Sequence, residues 1–251
     1  MVLPIYDDNP FKLPHRPFVT WGLIALNFVI FFVELGSGNA MQEMVFRFGV
    51  VPAAFVGDGT VEGALPPSLT LFTYMFLHSD IFHILGNMIF LWVFGDNVEE
   101  ALGRLRFVLF YLGCGSLGAL AFIASDPHAE VPLIGASGAI SGTVIAYVML
   151  RPCAKVTVLV SIIPLRLSAY WVVGAFVVMQ FISLGSASAS EVAYWAHIGG
   201  MGAGVVLMLL LRPDGVKLFE CIRPDQVPVG PAASIPDASR MPGAPPYRDR
   251  R

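Results

Sequence analysis

Long apolar runs, each closed off by a small group of charges, divide the chain at 17–33, 81–95, 107–125, 131–150, 167–190 and 192–211. A helix crossing the roughly 30 Å hydrocarbon layer needs about 17–25 mostly apolar residues. The 81–95 run is short, and 69–78 lengthens it upstream, broken only by Asp80. The pattern predicts an all-α polytopic bundle of six membrane-spanning helices over 17–211, after a short polar segment, 1–16. The stretch from about 36 to 68 is long for a loop. It mixes Met44, Phe46, Phe48, Val51 and Phe55 with Gly, Pro and a few charges, which suits a partly helical segment lying in the membrane interface. Residues 156–165 are apolar but too short to span, and are placed at the inner interface. From 212 the chain turns polar and Pro-rich, and 224–251 is read as a disordered tail that cannot build a core. No internal repeat suggests a transporter made of duplicated halves.

Composition points the same way. Of 251 residues, 56% are hydrophobic and 13% charged, with a mean hydropathy of +0.71, too little charge to cover a soluble domain of this size. The positions of Lys and Arg set the orientation. Fourteen of the fifteen lie before the first run, between the second and third, between the fourth and fifth, or after the sixth; only Arg47 falls on the other side. Both termini are therefore expected in the cytoplasm, as an even number of spans also requires. The first run lacks a small-residue cleavage site before the loop and reads as a retained helix rather than a signal peptide. A net charge of −3 gives no reason to expect a nucleic-acid partner. Cys114, Cys153 and Cys221 show no metal-ligand spacing and no even disulfide set, so each is read as a structural cysteine.

Polar residues inside the spans carry the candidate chemistry. His78, His83 and Asn87 lie on the second, Ser137 and Ser141 on the fourth, and His197 on the sixth. All three helices start at the outer face, and Ser137 and His197 both fall within about two turns of that start. His83 and Asn87 share one helix face four residues apart. Small residues form a row at Gly138, Gly142 and Ala146 on the fourth span and another at Ala196, Gly200 and Gly204 on the sixth, so these helices can pack with backbones nearly touching. Ser137 adjoins the first row and His197 the second, which predicts a hydrogen bond between them. A serine becomes a nucleophile when an adjacent base takes its proton, and neutral histidine does this near pH 7. The N–H groups at the start of the fourth helix, with His83 and Asn87, offer donors for an oxyanion. No carboxylate lies at this depth, so a Ser–His dyad is expected. His78 is an auxiliary candidate that alternatively hydrogen-bonds the first loop.

Gly135-Ala136-Ser137-Gly138, His83-Ile84-Leu85-Gly86-Asn87 with His78 upstream, and Ala196-His197-Ile198-Gly199-Gly200 followed by Gly204 together resemble the rhomboid family of intramembrane serine proteases. The 95–104 stretch also looks like the family's connection between second and third spans. The resemblance covers about 18–211. It implies a six-helix core whose short fourth helix starts inside the protein, at the bottom of a water-filled cavity. It also implies Ser137 as nucleophile, His197 as base, and an oxyanion hole from His83, Asn87 and the Ser137 N–H. No metal or organic cofactor is implied. Substrates would be single-span membrane proteins cut in or near their transmembrane segment, and the setting a bacterial inner membrane. Two departures stand out. Leu69-Thr70 occupies the place of a Trp-Arg pair in the first loop, and Ser141 that of an aromatic residue stacked on the histidine. The alternatives are a catalytically silent relative that binds transmembrane helices, and a small-solute transporter.

Overall fold

The computed structural model describes residues 2–8, 16–58, 63–184 and 194–221; the 224–251 tail lies outside them. In chain order these residues form β1 (Val2–Asp7), α1 (Phe18–Gly36), α2 (Met41–Phe48), α3 (Pro52–Val56), α4 (Pro67–Thr73), α5 (Ile81–Leu102), α6 (Arg104–Ser125), α7 (Ser137–Leu150), β2 (Lys155–Val160), β3 (Ile163–Ser168), α8 (Ala169–Leu184) and α9 (Tyr194–Leu211). The fold is mostly helical. Among the described residues four helices, α1, α5, α6 and α9, are long and apolar enough to cross a membrane. Helices α7 and α8 are apolar but shorter.

The second span is built differently from the expectation. It does not run upstream through 69–78. Leu77 is extended, and Asp80 caps a new helix by accepting the Phe82 and His83 N–H groups at 2.8 and 3.0 Å, the usual role of Asp at an N-cap. Helix α5 instead continues downstream past Asp96, Glu99 and Glu100 to Leu102. The buried Glu99 carboxylate is satisfied there by the N-terminus of α1. It accepts the Val19 N–H at 3.0 Å, the Thr20 N–H at 2.7 Å and the Thr20 hydroxyl at 2.8 Å, bonding donors a helix start leaves free.

A three-stranded antiparallel sheet, β1-β2-β3, adds to the helical prediction. The 156–165 stretch is a hairpin, and the lead-in segment supplies its third strand, pairing Val2 with Val160 and Asp7 with Val156. Asp7 ties the sheet to the bundle by accepting from Asn97 on α5 and Tyr147 on α7, both at 3.0 Å. The same end carries a correction: Cys153 and Cys221 form a disulfide. The end of α7 and the turn before β2 meet the segment after α9 here, with the Phe219 N–H donating to the Met149 carbonyl at 2.6 Å. Their separation of 68 residues hid the pairing. Cys114 is free and buried.

At the opposite end, α2 and α3 form the first-loop elements. Val50 exchanges backbone hydrogen bonds with Leu133 at 3.0 and 2.8 Å, and the Thr73 hydroxyl donates to the Phe48 carbonyl at 2.5 Å. These contacts anchor the first loop.

Candidate active site

Helix α9 packs against both α6 and α7, and glycine makes that approach possible. A methyl built on Gly204 would lie 2.6 Å from the Gly142 carbonyl oxygen, and one on Gly142 would lie 2.8 Å from the Gly200 carbonyl oxygen. A methyl on Gly200 would press on the Gly138 carbonyl more closely still. Two helices with such rows exclude any side chain from their seam.

Ser137 is the first residue of α7, and His197 lies in the first turn of α9. Because the backbones nearly touch, Ser137 Oγ sits 2.7 Å from His197 Nε2. Helix α7 has 14 residues, about 21 Å at 1.5 Å per residue, well short of the hydrocarbon thickness. Residues 131–136 ahead of it are not helical. Ser137 is half-buried and His197 buried.

Gly135 brings the second group of residues to this point. Its φ of +112° suits glycine alone, and a Cβ there would lie 2.7 Å from His83 Nε2 and 3.7 Å from Asn87 Nδ2. The side chains of α5 thus converge on the backbone two residues before Ser137. Ser79 Oγ lies 3.1 Å from His83 Nδ1 on the far side of the ring, while the buried Asn87 Nδ2 has no hydrogen-bond partner. A buried amide donor of this kind is costly unless something occupies it.

His78 is fully buried outside helix α5. Its backbone N–H donates to Glu34 at the end of α1 at 3.3 Å, and its ring meets His83 edge-on with centroids 5.0 Å apart. It therefore packs on His83 and is tied to α1 through its backbone N–H. Ser141 is buried and gives the imidazole no stacking partner; Tyr194, one turn before His197, instead presents its ring at 88° with centroids 6.1 Å apart.

Sequence reasoning missed Gln180. This α8 residue is buried, and its Oε1 lies 2.8 Å from His197 Nδ1. Asn27 and Glu34, both fully buried in α1, were also passed over. A lone amide in an otherwise apolar run was the available signal, since polar groups at membrane depth are rare and interior-facing. No group of three His, Cys, Asp or Glu among the described residues is placed to hold a metal.

A rhomboid domain model matches residues 68–214, the segment that carries His78, His83, Asn87, Ser137, Gln180 and His197. The chain is 29% identical to rhomboid protease GluP of Bacillus subtilis over 191 residues, 75% of this chain and 34% of that protein. It is 25% identical to RHOMBOID-like protein 1 of Arabidopsis thaliana over 232 residues, covering 83% of this chain and 57% of the relative. A third relative, putative rhomboid protease YdcA of Bacillus subtilis, is 34% identical over 110 residues, 41% and 55% of the two chains. The chain spans less than two thirds of the length of each of these relatives. With a domain match over more than half its length and a helical fold fit for a bilayer, the chain is an integral membrane protein that belongs to the rhomboid family.

Proposed function

We propose that the protein is an intramembrane serine endopeptidase that cleaves single-span membrane proteins in or near their transmembrane segment. The observation that carries this reading is the 2.7 Å contact between Ser137 Oγ and His197 Nε2, at the half-buried start of a helix too short to cross the bilayer. His197 Nε2 takes the hydroxyl proton as Oγ attacks the scissile carbonyl, then delivers it to the leaving amine. The tetrahedral oxyanion is held by the Asn87 amide, His83 Nε2 and the Ser137 N–H, one of the free donors of the α7 N-terminus. Water then attacks the acyl-enzyme by the same route in reverse, releasing the second product. This chemistry needs no metal or organic cofactor.

In the bilayer, the shorter α7 and α8 complete a six-helix core with the four longer helices, α7 starting below the membrane surface rather than crossing the full thickness. The charge asymmetry favours the cytoplasmic face for both termini, the resemblance favours a bacterial inner membrane, and the gathering of β1, the hairpin and the segment after α9 at one end is consistent with both termini on one face. The test is cleavage of a single-span substrate in proteoliposomes. Ser137→Ala and His197→Ala are each expected to lose cleavage while retaining the wild-type melting profile. A silent binder of transmembrane helices would co-purify with the substrate and leave it intact.

A further inference from the structure

Both ring nitrogens of His197 are engaged, and only one of them by serine. Nε2 faces Ser137 Oγ at 2.7 Å and Nδ1 faces Gln180 Oε1 at 2.8 Å. We propose that Gln180 is a positioning residue that holds His197 in the tautomer with hydrogen on Nδ1, so that Nε2 presents its lone pair to Ser137. The proposal rests on the Ser–His reading above and deepens it.

An amide oxygen only accepts hydrogen bonds, and a neutral imidazole has one donor and one acceptor nitrogen. With Oε1 against Nδ1, the proton sits on Nδ1 and Nε2 is free to act as base. The opposite tautomer sets lone pair against lone pair at Gln180 and points an N–H at the serine. The placement of Gln180 indicates that its polar contact is what holds it inward. The other buried residues of α8, Ala169, Val172 and Val173, lie at its start, and Gln180 is the only buried side chain from 174 to 184. Its neighbours Met179, Phe181 and Ile182 are exposed on the apolar outer surface. A primary amide in such surroundings is stable when its polar atoms find a partner.

The residue thus does the orienting that a carboxylate does in a three-membered arrangement, without adding a buried charge to an apolar layer. Two other polar groups face the imidazole, His83 from α5 and the Tyr194 ring from α9 itself. The hydrogen-bond partner at Nδ1 is Gln180. The tie also spans elements, since Gln180 and His197 sit on α8 and α9, and it makes the base depend on where α8 lies.

The test uses the full chain in proteoliposomes with a single-span substrate and a fluorophosphonate that labels Ser137. Gln180→Leu removes the acceptor at similar volume and is expected to lower kcat about 10- to 100-fold. KM should stay within about twofold, and labelling should slow by the same factor as kcat. Gln180→Glu keeps the acceptor, so it is expected to stay within about tenfold of the wild type in kcat. Its carboxylate favours the imidazolium and should move the acid limb of the kcat/KM profile to higher pH. A side chain at 180 that does not touch Nδ1 would leave that limb in place. Wild-type kcat and labelling in Gln180→Leu, with Ser137→Ala inactive, overturns the proposal alone. So does a Gln180→Glu variant that melts normally yet is as slow as Gln180→Leu, since Gln180 would then be donating to Nδ1. Cleavage that survives in Ser137→Ala removes the protease reading itself.

Discussion

The seam between α7 and α9 makes the most quantitative prediction, through Gly204→Ala. The added methyl would stand 2.6 Å from the Gly142 carbonyl oxygen and 2.7 Å from the Gly142 Cα, where ordinary contact begins at 3.4 Å. Backbone atoms of a helix cannot step aside, so the helices must part by about 0.8 Å. Overpacking of this kind costs about 1–3 kcal/mol. The same parting carried along the rigid seam would stretch the 2.7 Å contact between Ser137 and His197 to about 3.5 Å, the limit of a hydrogen bond. A displacement of about 1 Å at a reacting pair can lower the rate about 100-fold. We therefore expect kcat for a single-span substrate to fall by about that factor, with a lower melting temperature. Gly202→Ala is the control on the same helix, because a methyl there meets nothing within 4 Å. It should match the wild type in rate and be at least as stable, since alanine favours helix over glycine. Wild-type kcat and melting in Gly204→Ala, or equal damage from Gly202→Ala, would refute the close-packed seam as the source of the dyad geometry.

Three further outcomes are expected. Glu99→Ala strips three hydrogen bonds from the start of α1 and should lower stability by about 3 kcal/mol, read as an earlier thermal transition; Thr20→Val, losing one of the three, should cost about 1 kcal/mol. Asp80→Ala removes the α5 cap and should cost about 1 kcal/mol. The His83 N–H holds the Asp80 carboxyl below its usual range. Its contribution is thus complete above the unfolded pKa of about 3.9 and disappears as pH falls through the lower folded value. Thermal melts of wild type and Asp80→Ala should accordingly converge in strong acid and diverge above about pH 4. Gly135→Ala would place a methyl 2.7 Å from His83 Nε2 in a left-handed backbone region; cleavage should fall at least about 100-fold, a loss that normal turnover would contradict.

The helices were legible because each is a single apolar run, and apolar runs are what a bilayer selects. The partnership of Ser137 and His197 was legible too, because small residues at four-residue spacing announce close helix packing before any coordinate is known. What stayed hidden depended on chain segments far apart in sequence. Strand β1 pairs with a hairpin about 150 residues away, and the short alternating stretch 2–7 gives no sign of its partner. The extent of α5 was misjudged because Asp96, Glu99 and Glu100 look like a loop. The Glu99 carboxylate is absorbed by the start of α1, and Asp96 accepts from Asn97 within the helix. Gln180 escaped because the rotation of α8 about its own axis decides whether that amide faces lipid or imidazole. No neighbouring small-residue row fixes that rotation.

The most direct test of the central claim is to treat the membrane-embedded full chain with a fluorophosphonate and map the adduct by mass spectrometry while cleavage is followed in the same sample. The account predicts one phosphonyl group on Ser137, appearing in step with the loss of cleavage, and no adduct in His197→Ala. Full inhibition with Ser137 unmodified, or undiminished cleavage once Ser137 is fully modified, would contradict it.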